Sequence, residues 1–173
     1  MHLFETKRLG LRELSFSDLD FIAEMMGDAE VMTYYPKVLT RAEARGWLVR
    51  QLTRYETDGH GLWLVTDSQS GEPVGQVGLL EQQVDGAKMT EVGYLLHRRY
   101  WKKGYATEAA LASINYGFKK LGRDRIIALI RPENQPSIRV ASRLGMTPGS
   151  ETRHGGYPHI IYSQTREGWQ SAQ

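Results

Sequence analysis

Arg98-Arg99-Tyr100-Trp101-Lys102-Lys103-Gly104-Tyr105-Ala106-Thr107-Glu108-Ala109 is a basic run containing one glycine, set between two unlike neighbours. Ahead of it, Glu91 to His97 is mostly apolar and reads as a strand. Behind it, Ala106 to Lys120 reads as a helix. Ala109, Ala110, Leu111, Ala112, Ile114 and Phe118 recur at helical spacing, and Lys119, Lys120 and Gly122 close it. The order is therefore strand, basic turn, helix N-terminus. A helix leaves its first backbone N–H groups unpaired, and its dipole makes that end positive. Gly104 lets backbone approach a ligand, and small Ala106 keeps the approach open. With four cations upstream, this is a site for a phosphate or pyrophosphate. The plain alternative is a solvated basic turn joining a strand to a helix.

The next segment repeats the strand-then-helix order. Arg125 to Ile130 is a β-branched run and reads as a second buried strand. Asn134 or Gln135 suits an N-cap, and Pro136 suits a first helical turn. Ile138, Ala141 and either Leu144 or Val140 form one apolar face, and Gly145 stands where a closing glycine belongs.

Outward from this centre the pattern is mixed. Leu9 to Leu14 reads as a strand, and Ser15 with Asp18 as a capping box opening a helix through Met26. Asp28 to Tyr35 reads as a short helix stopped by Pro36. Thr40 with Glu43 is a second capping box, opening a helix to about Glu56 with Ala44, Trp47, Leu48 and Leu52 on one face. Strands follow at His60–Thr66, Pro73–Gln83 and Met89–Leu96, with a hairpin turn at Val84-Asp85-Gly86. Met146–Thr152 and Ile160–Thr165 read as closing strands around a polar loop, Arg153–Pro158. A strand–helix–strand crossover near the middle implies an α/β sheet with a parallel pair.

Trp101-x-x-Gly104-Tyr105-Ala106-Thr107-Glu108-Ala109, Asn134-x-x-Ser137 and Leu144-Gly145-Met146 occur in an order and spacing that resemble the GNAT N-acetyltransferase superfamily, in its RimJ/RimL-like branch. The similarity runs from Thr6 to about Trp169. It implies one N-acetyltransferase domain over residues 1–173. Its fold would be a mixed, mostly antiparallel central sheet with splayed parallel central strands and flanking helices. It also implies acetyl-CoA as acyl donor, no metal, and an amine as acceptor, with the acyl-pantetheine arm in the gap between the splayed strands. Backbone of the Glu91–Leu96 strand, at Leu95 and Leu96, would meet that arm. The backbone of Arg99, Trp101, Lys102, Lys103, Gly104, Tyr105, Ala106 and Thr107 would hold the pyrophosphate. Asn134 and Ser137 match family positions near the pantetheine and the CoA sulfur, and Arg139 or Lys102 could meet the 3′-phosphate.

Three residues are candidates for the chemistry. Glu91, at the start of its strand, matches an acid that takes the amine proton, the alternative being a strand-end surface carboxylate. The Ser137 hydroxyl could protonate the leaving thiolate, cap its helix, or both. Tyr157 could donate a proton or shape the acceptor pocket, while His154 and His159 beside it read first as surface residues. Met25, Met26, Met32, Tyr34, Tyr35 and Trp63 either line the acceptor side or simply pack. Tyr116 and Tyr162 read as core. Glu30 and Glu81 could attract a cationic amine.

Composition narrows the alternatives. The chain has 173 residues, net charge +2 and no cysteine. Disulfides, thiolate metal sites and a cysteinyl acyl-enzyme are excluded. The small net charge argues against nucleic acid, since Arg98, Arg99, Lys102 and Lys103 form one short turn rather than a stripe. No long apolar run or signal-peptide pattern is present, so a cytoplasmic, membrane-free protein is expected. A non-catalytic acyl-CoA-binding or sensor domain is the second reading, and a homodimer stays open.

Overall fold

Eight strands in the order β1-β2-β3-β4-β5-β6-β8-β7 make up one sheet. The computed structural model describes Met1–Gln173. In chain order the elements are β1 (Phe4–Glu5), β2 (Leu9–Arg12), α1 (Leu19–Met26), α2 (Arg41–Asp58), β3 (Leu62–Asp67), β4 (Pro73–Val84) and β5 (Ala87–Leu96). Then come α3 (Tyr105–Lys119), β6 (Arg125–Ile130), α4 (Gln135–Arg143), β7 (Thr147–His154), β8 (Tyr157–Thr165) and α5 (Arg166–Ser171). Every neighbouring pair is antiparallel except β5 with β6. This is the mixed, mostly antiparallel sheet with a parallel central pair and flanking helices that the sequence implies. No helix is long and apolar enough to cross a membrane.

Local chemistry explains the boundaries. Thr40 accepts the Glu43 N–H at 3.2 Å while Glu43 accepts the Thr40 N–H at 2.8 Å, so α2 starts at a full capping box. Before α1, Asp18 accepts the Ser15 N–H at 2.8 Å and pairs with Arg12. The Asp85-Gly86 turn has positive φ at both residues, 49° and 80°, as a two-residue hairpin requires.

Two expectations are corrected, and two short elements are added. Asp28–Tyr35 is a series of turns, not a helix, because the Asp28 carboxylate accepts the Glu30 N–H and pairs with Arg98. The polar loop expected at Arg153–Pro158 is mostly strand. β7 and β8 pair as far as His154 opposite Tyr157, leaving only Gly155-Gly156 as the turn. Edge strand β1 and the short closing helix α5 were not foreseen; each is too short for periodicity to register.

The sheet buries both faces. On one side Leu79, Ile114, Phe118 and Ile126 pack around α3. On the other, Phe21, Ile22, Met25, Met26 and Leu48 from α1 and α2 pack on Leu64. Adjacent residues Trp63 and Leu64 of β3 fall into different clusters, as alternation along a strand demands. At Gly117 of α3 a Cβ would lie 2.6 Å from the Ile126 Cδ1, so the missing side chain lets helix and sheet approach closely.

Candidate active site

β5 and β6 meet at a single register position, Glu91 opposite Ile127, and separate beyond it. β4 and β5, by contrast, pair along their whole length. The His97 N–H donates to the Val74 carbonyl at 3.0 Å, and Val84 pairs with Ala87 across the hairpin. Antiparallel alternation therefore turns odd-numbered β5 amides, Leu95 included, toward β4. The N–H groups of Val92, Tyr94 and Leu96 turn toward β6 instead; the one β5–β6 bridge takes up that of Val92, and those of Tyr94 and Leu96 face the gap. Leu95 gives its side chain to the cavity wall, whereas Leu96 buries its side chain in the core and accepts the Trp101 indole N–H at 3.0 Å. Leu95 therefore offers the gap its side chain rather than its N–H, and the gap-facing donors are those of its neighbours. A cavity of about 340 Å³ follows the gap, bounded by Trp47 and Gln51 of α2, Tyr35, Leu129 and the β7–β8 hairpin.

The basic turn lies beyond the C-terminal end of β5. Lys102 and Gly104 have φ of 60° and 78°, a left-handed alternation that a non-glycine residue such as Lys102 adopts at a cost. The six main-chain N–H groups from Lys102 to Thr107 donate to no protein acceptor, and the first helical bond runs from the Glu108 N–H to the Gly104 carbonyl at 3.1 Å. No side chain caps this end of α3. Such a series of outward amides at a helix N-terminus receives an anion, and so fits a diphosphate.

Side chains hold the turn in place from behind. Arg8 donates to the Lys103 carbonyl at 2.9 Å and stacks over Tyr105 at 4.5 Å. Glu108 accepts from Arg8 and Thr6, each at 2.6 Å, and these bonds and the Arg8 charge lower its pKa against the opposing effect of burial. Of the four cations, Arg98 is committed to Asp28 and Glu30 and Arg99 sits 3.9 Å from Glu72. Lys103 lies over Tyr100, and Lys102 has no protein partner.

Glu91 lies at the closed end of the gap. Its accessible edge faces the cavity rather than bulk water, and burial pushes its pKa up to about 7. The Gln82 amide donating at 2.8 Å, the Leu129 backbone N–H and the Arg54 charge oppose that rise. The result is a carboxylate that exchanges its proton near neutrality. Asn134 caps α4 by accepting the Ser137 N–H at 3.2 Å, so Ser137 is not the cap. The Ser137 carbonyl accepts the Tyr94 hydroxyl at 2.9 Å, while its own hydroxyl has no protein partner and Ser137 lines the cavity. Tyr157 lies against the Arg131 guanidinium at 4.4 Å, and Arg131 in turn pairs with Glu133. His154 and His159 also line the cavity, their rings 5.5 Å apart; burial and then His159 lower the His154 pKa.

Several acceptor-side expectations are corrected. Met25, Met26, Met32 and Trp63 are core residues, while Tyr34 and Tyr35 do line the cavity. Glu30 is taken by Arg98, and buried Glu81 by Thr90, Arg123 and His60 on the far face of the sheet from the cavity. Gln82, Arg54 and Arg8 were missed. They come from β4, α2 and the chain before β2, and no spacing in the sequence connects them to Glu91 or Gly104.

The Acetyltransferase (GNAT) domain family matches residues 8–147. The uncharacterized protein YkkB of Bacillus subtilis is 34% identical over 160 residues, covering 92% of this chain and 93% of its own. The uncharacterized N-acetyltransferase YnaD of the same organism is 35% identical over 147 residues, covering 84% and 82%. A GNAT-family acetyltransferase from Bacillus anthracis superposes with a TM-score of 0.82 at 30% identity over 96% of this chain and 99% of that one. With unpaired amides beyond the end of a splayed central strand and this extent of likeness, the chain belongs to the GNAT family, the acetyl-CoA-dependent N-acetyltransferases.

Proposed function

We propose that this enzyme moves acetyl from acetyl-CoA directly to a primary amine, a small-molecule amine or a protein N-terminal α-amine, within a ternary complex of the RimJ/RimL-like kind. The observation that carries the reading is the run of unpaired amides from Lys102 to Thr107 beyond the end of β5, the strand whose splayed side borders the cavity holding Glu91. These amides, with the backbone around Arg99 and Trp101, hold the diphosphate. The free amide nitrogen of Asn134 and the gap-facing N–H groups of Tyr94 and Leu96 align the arm and polarise the reacting carbonyl. Bound acetyl-CoA supplies an activated thioester, and the chain, having no cysteine, has no thiol of its own to acylate. Glu91 takes the proton of the attacking amine, and the Ser137 hydroxyl delivers one to the departing sulfur. An α-amine with a pKa near ~8 asks less of such a base than a lysine near ~10.4.

The test is thiol release from acetyl-CoA over a panel of amines. The kcat/KM profile rises with pH through about 7, where Glu91 ionises. Glu91→Gln lowers kcat by roughly 10²–10⁴ with little change in the KM for acetyl-CoA, and removes that limb. An unaltered profile in the variant would rule out Glu91 as the base.

A further inference from the structure

The charges around the cavity are unbalanced. Three arginines, Arg50, Arg54 and Arg131, line it, and Glu91 is the only carboxylate that does. Glu133 offsets Arg131 at 2.6 Å. Arg50 has no such partner, and Arg54 has only a long ion pair with Asp58 and the charge of Glu91. Arg54 donates once to the Glu81 main-chain carbonyl and lies 3.9 Å from Asp58. Arg50 forms no ion pair and no hydrogen bond, and only faces the Trp47 ring at 5.6 Å. The two residues are four apart on α2, so their side chains share one face and reach the same side of the cavity. A guanidinium carries five N–H donors in a planar fork, and most of Arg54's are unused. The acids expected to draw a cationic amine, Glu30 and Glu81, are already neutralised elsewhere.

We infer that the accepted amine carries an anionic group, a carboxylate or a phosphate, gripped by Arg54 with Arg50 at the cavity mouth while its nitrogen faces Glu91. This rests on the transferase reading of the same cavity. A guanidinium matches either anion in bidentate fashion and repels a second ammonium. Linear polyamines and aminoglycosides, whose remaining charges are all positive, are therefore poor acceptors. The α-carboxylate of a free amino acid sits two bonds from its amine, which suits a cavity of this size.

The experiment measures thiol release by the full chain with acetyl-CoA and matched acceptors: free amino acids against their amides, phosphoethanolamine against ethanolamine, and a linear polyamine. The anionic member of a pair shows at least a tenfold higher kcat/KM, and the two kinds of pair distinguish carboxylate from phosphate. Arg54→Gln collapses that ratio toward one, mainly through the KM of the amine, and Arg54→Lys keeps part of it. Arg50→Gln alters an exposed side chain with no hydrogen bond to lose, so the fold tolerates it, and it narrows the ratio too. Equal or faster turnover of amides, ethanolamine or polyamine overturns the inference, as does a ratio unmoved in both glutamine variants. If only neutral or cationic amines react, the proposed function stands and this inference falls. If acetyl-CoA binds and no amine reacts, both fall.

Discussion

Glu91 is held between two opposing effects. Burial disfavours its charge, and the Gln82 amide and Leu129 N–H favour it; burial wins, taking the pKa from 4.5 to about 7. The sign of the effect on stability follows. A carboxyl whose pKa is raised by folding contributes most when protonated, so its contribution is full below about 4.5 and is lost as pH rises through about 7. Replacing it with uncharged glutamine is therefore expected to stabilise the fold at pH 8 by about 1–3 kcal/mol. The gain shrinks to nothing by pH 4.5. Urea unfolding at the two pH values measures it. A gain of equal size at both would show that packing, not charge, separates the two proteins. A stability deficit at neutral pH accompanies the role proposed for Glu91.

At the scale of the element, the turn before α3 depends on its supports as much as on its own residues. Gly104 at φ 78° would place a Cβ 3.4 Å from the Arg8 guanidinium, an ordinary contact, so its conformation rather than its space excludes other residues. Gly104→Val is expected to abolish acetyl-CoA binding by calorimetry. Arg8→Ala, which frees the Lys103 carbonyl and the face of Tyr105, weakens it by about tenfold, equivalent to ~1.4 kcal/mol. Unchanged affinity in both would place the diphosphate elsewhere. The turn at Gly104 was legible from the sequence, because a glycine between a strand and an amphipathic helix marks such a junction. Thr40 and Glu43 were legible for the same local reason. Arg8 was not, since its bond to Lys103 spans a separation that only the sheet closes. Nor were Arg54 and Gln82, which reach Glu91 through the packing of α2 and a diagonal neighbour on β4. The two closing strands were legible, but their extension to His154 and Tyr157 escaped because Arg153, His154 and Tyr157 show no apolar alternation.

In the whole molecule, the gap exists because one pairing in an eight-stranded sheet is nearly absent. α3 packs over one face and α1 with α2 over the other, so the sheet stays intact around that opening. The strand amides that β6 leaves unpaired lie beside the cavity that holds Glu91, and the helix amides that no side chain caps lie beyond the C-terminal end of the same strand. Main-chain donors left free at these two places can bond a ligand that supplies acceptors to both, as the proposed function requires. Amide hydrogen exchange, followed residue by residue from Lys102 to Thr107 with and without coenzyme A, tests this most directly. Fast exchange in the free protein and strong protection in the complex is the predicted result. Protection already present without ligand, or exchange that coenzyme A leaves unaltered, would contradict it.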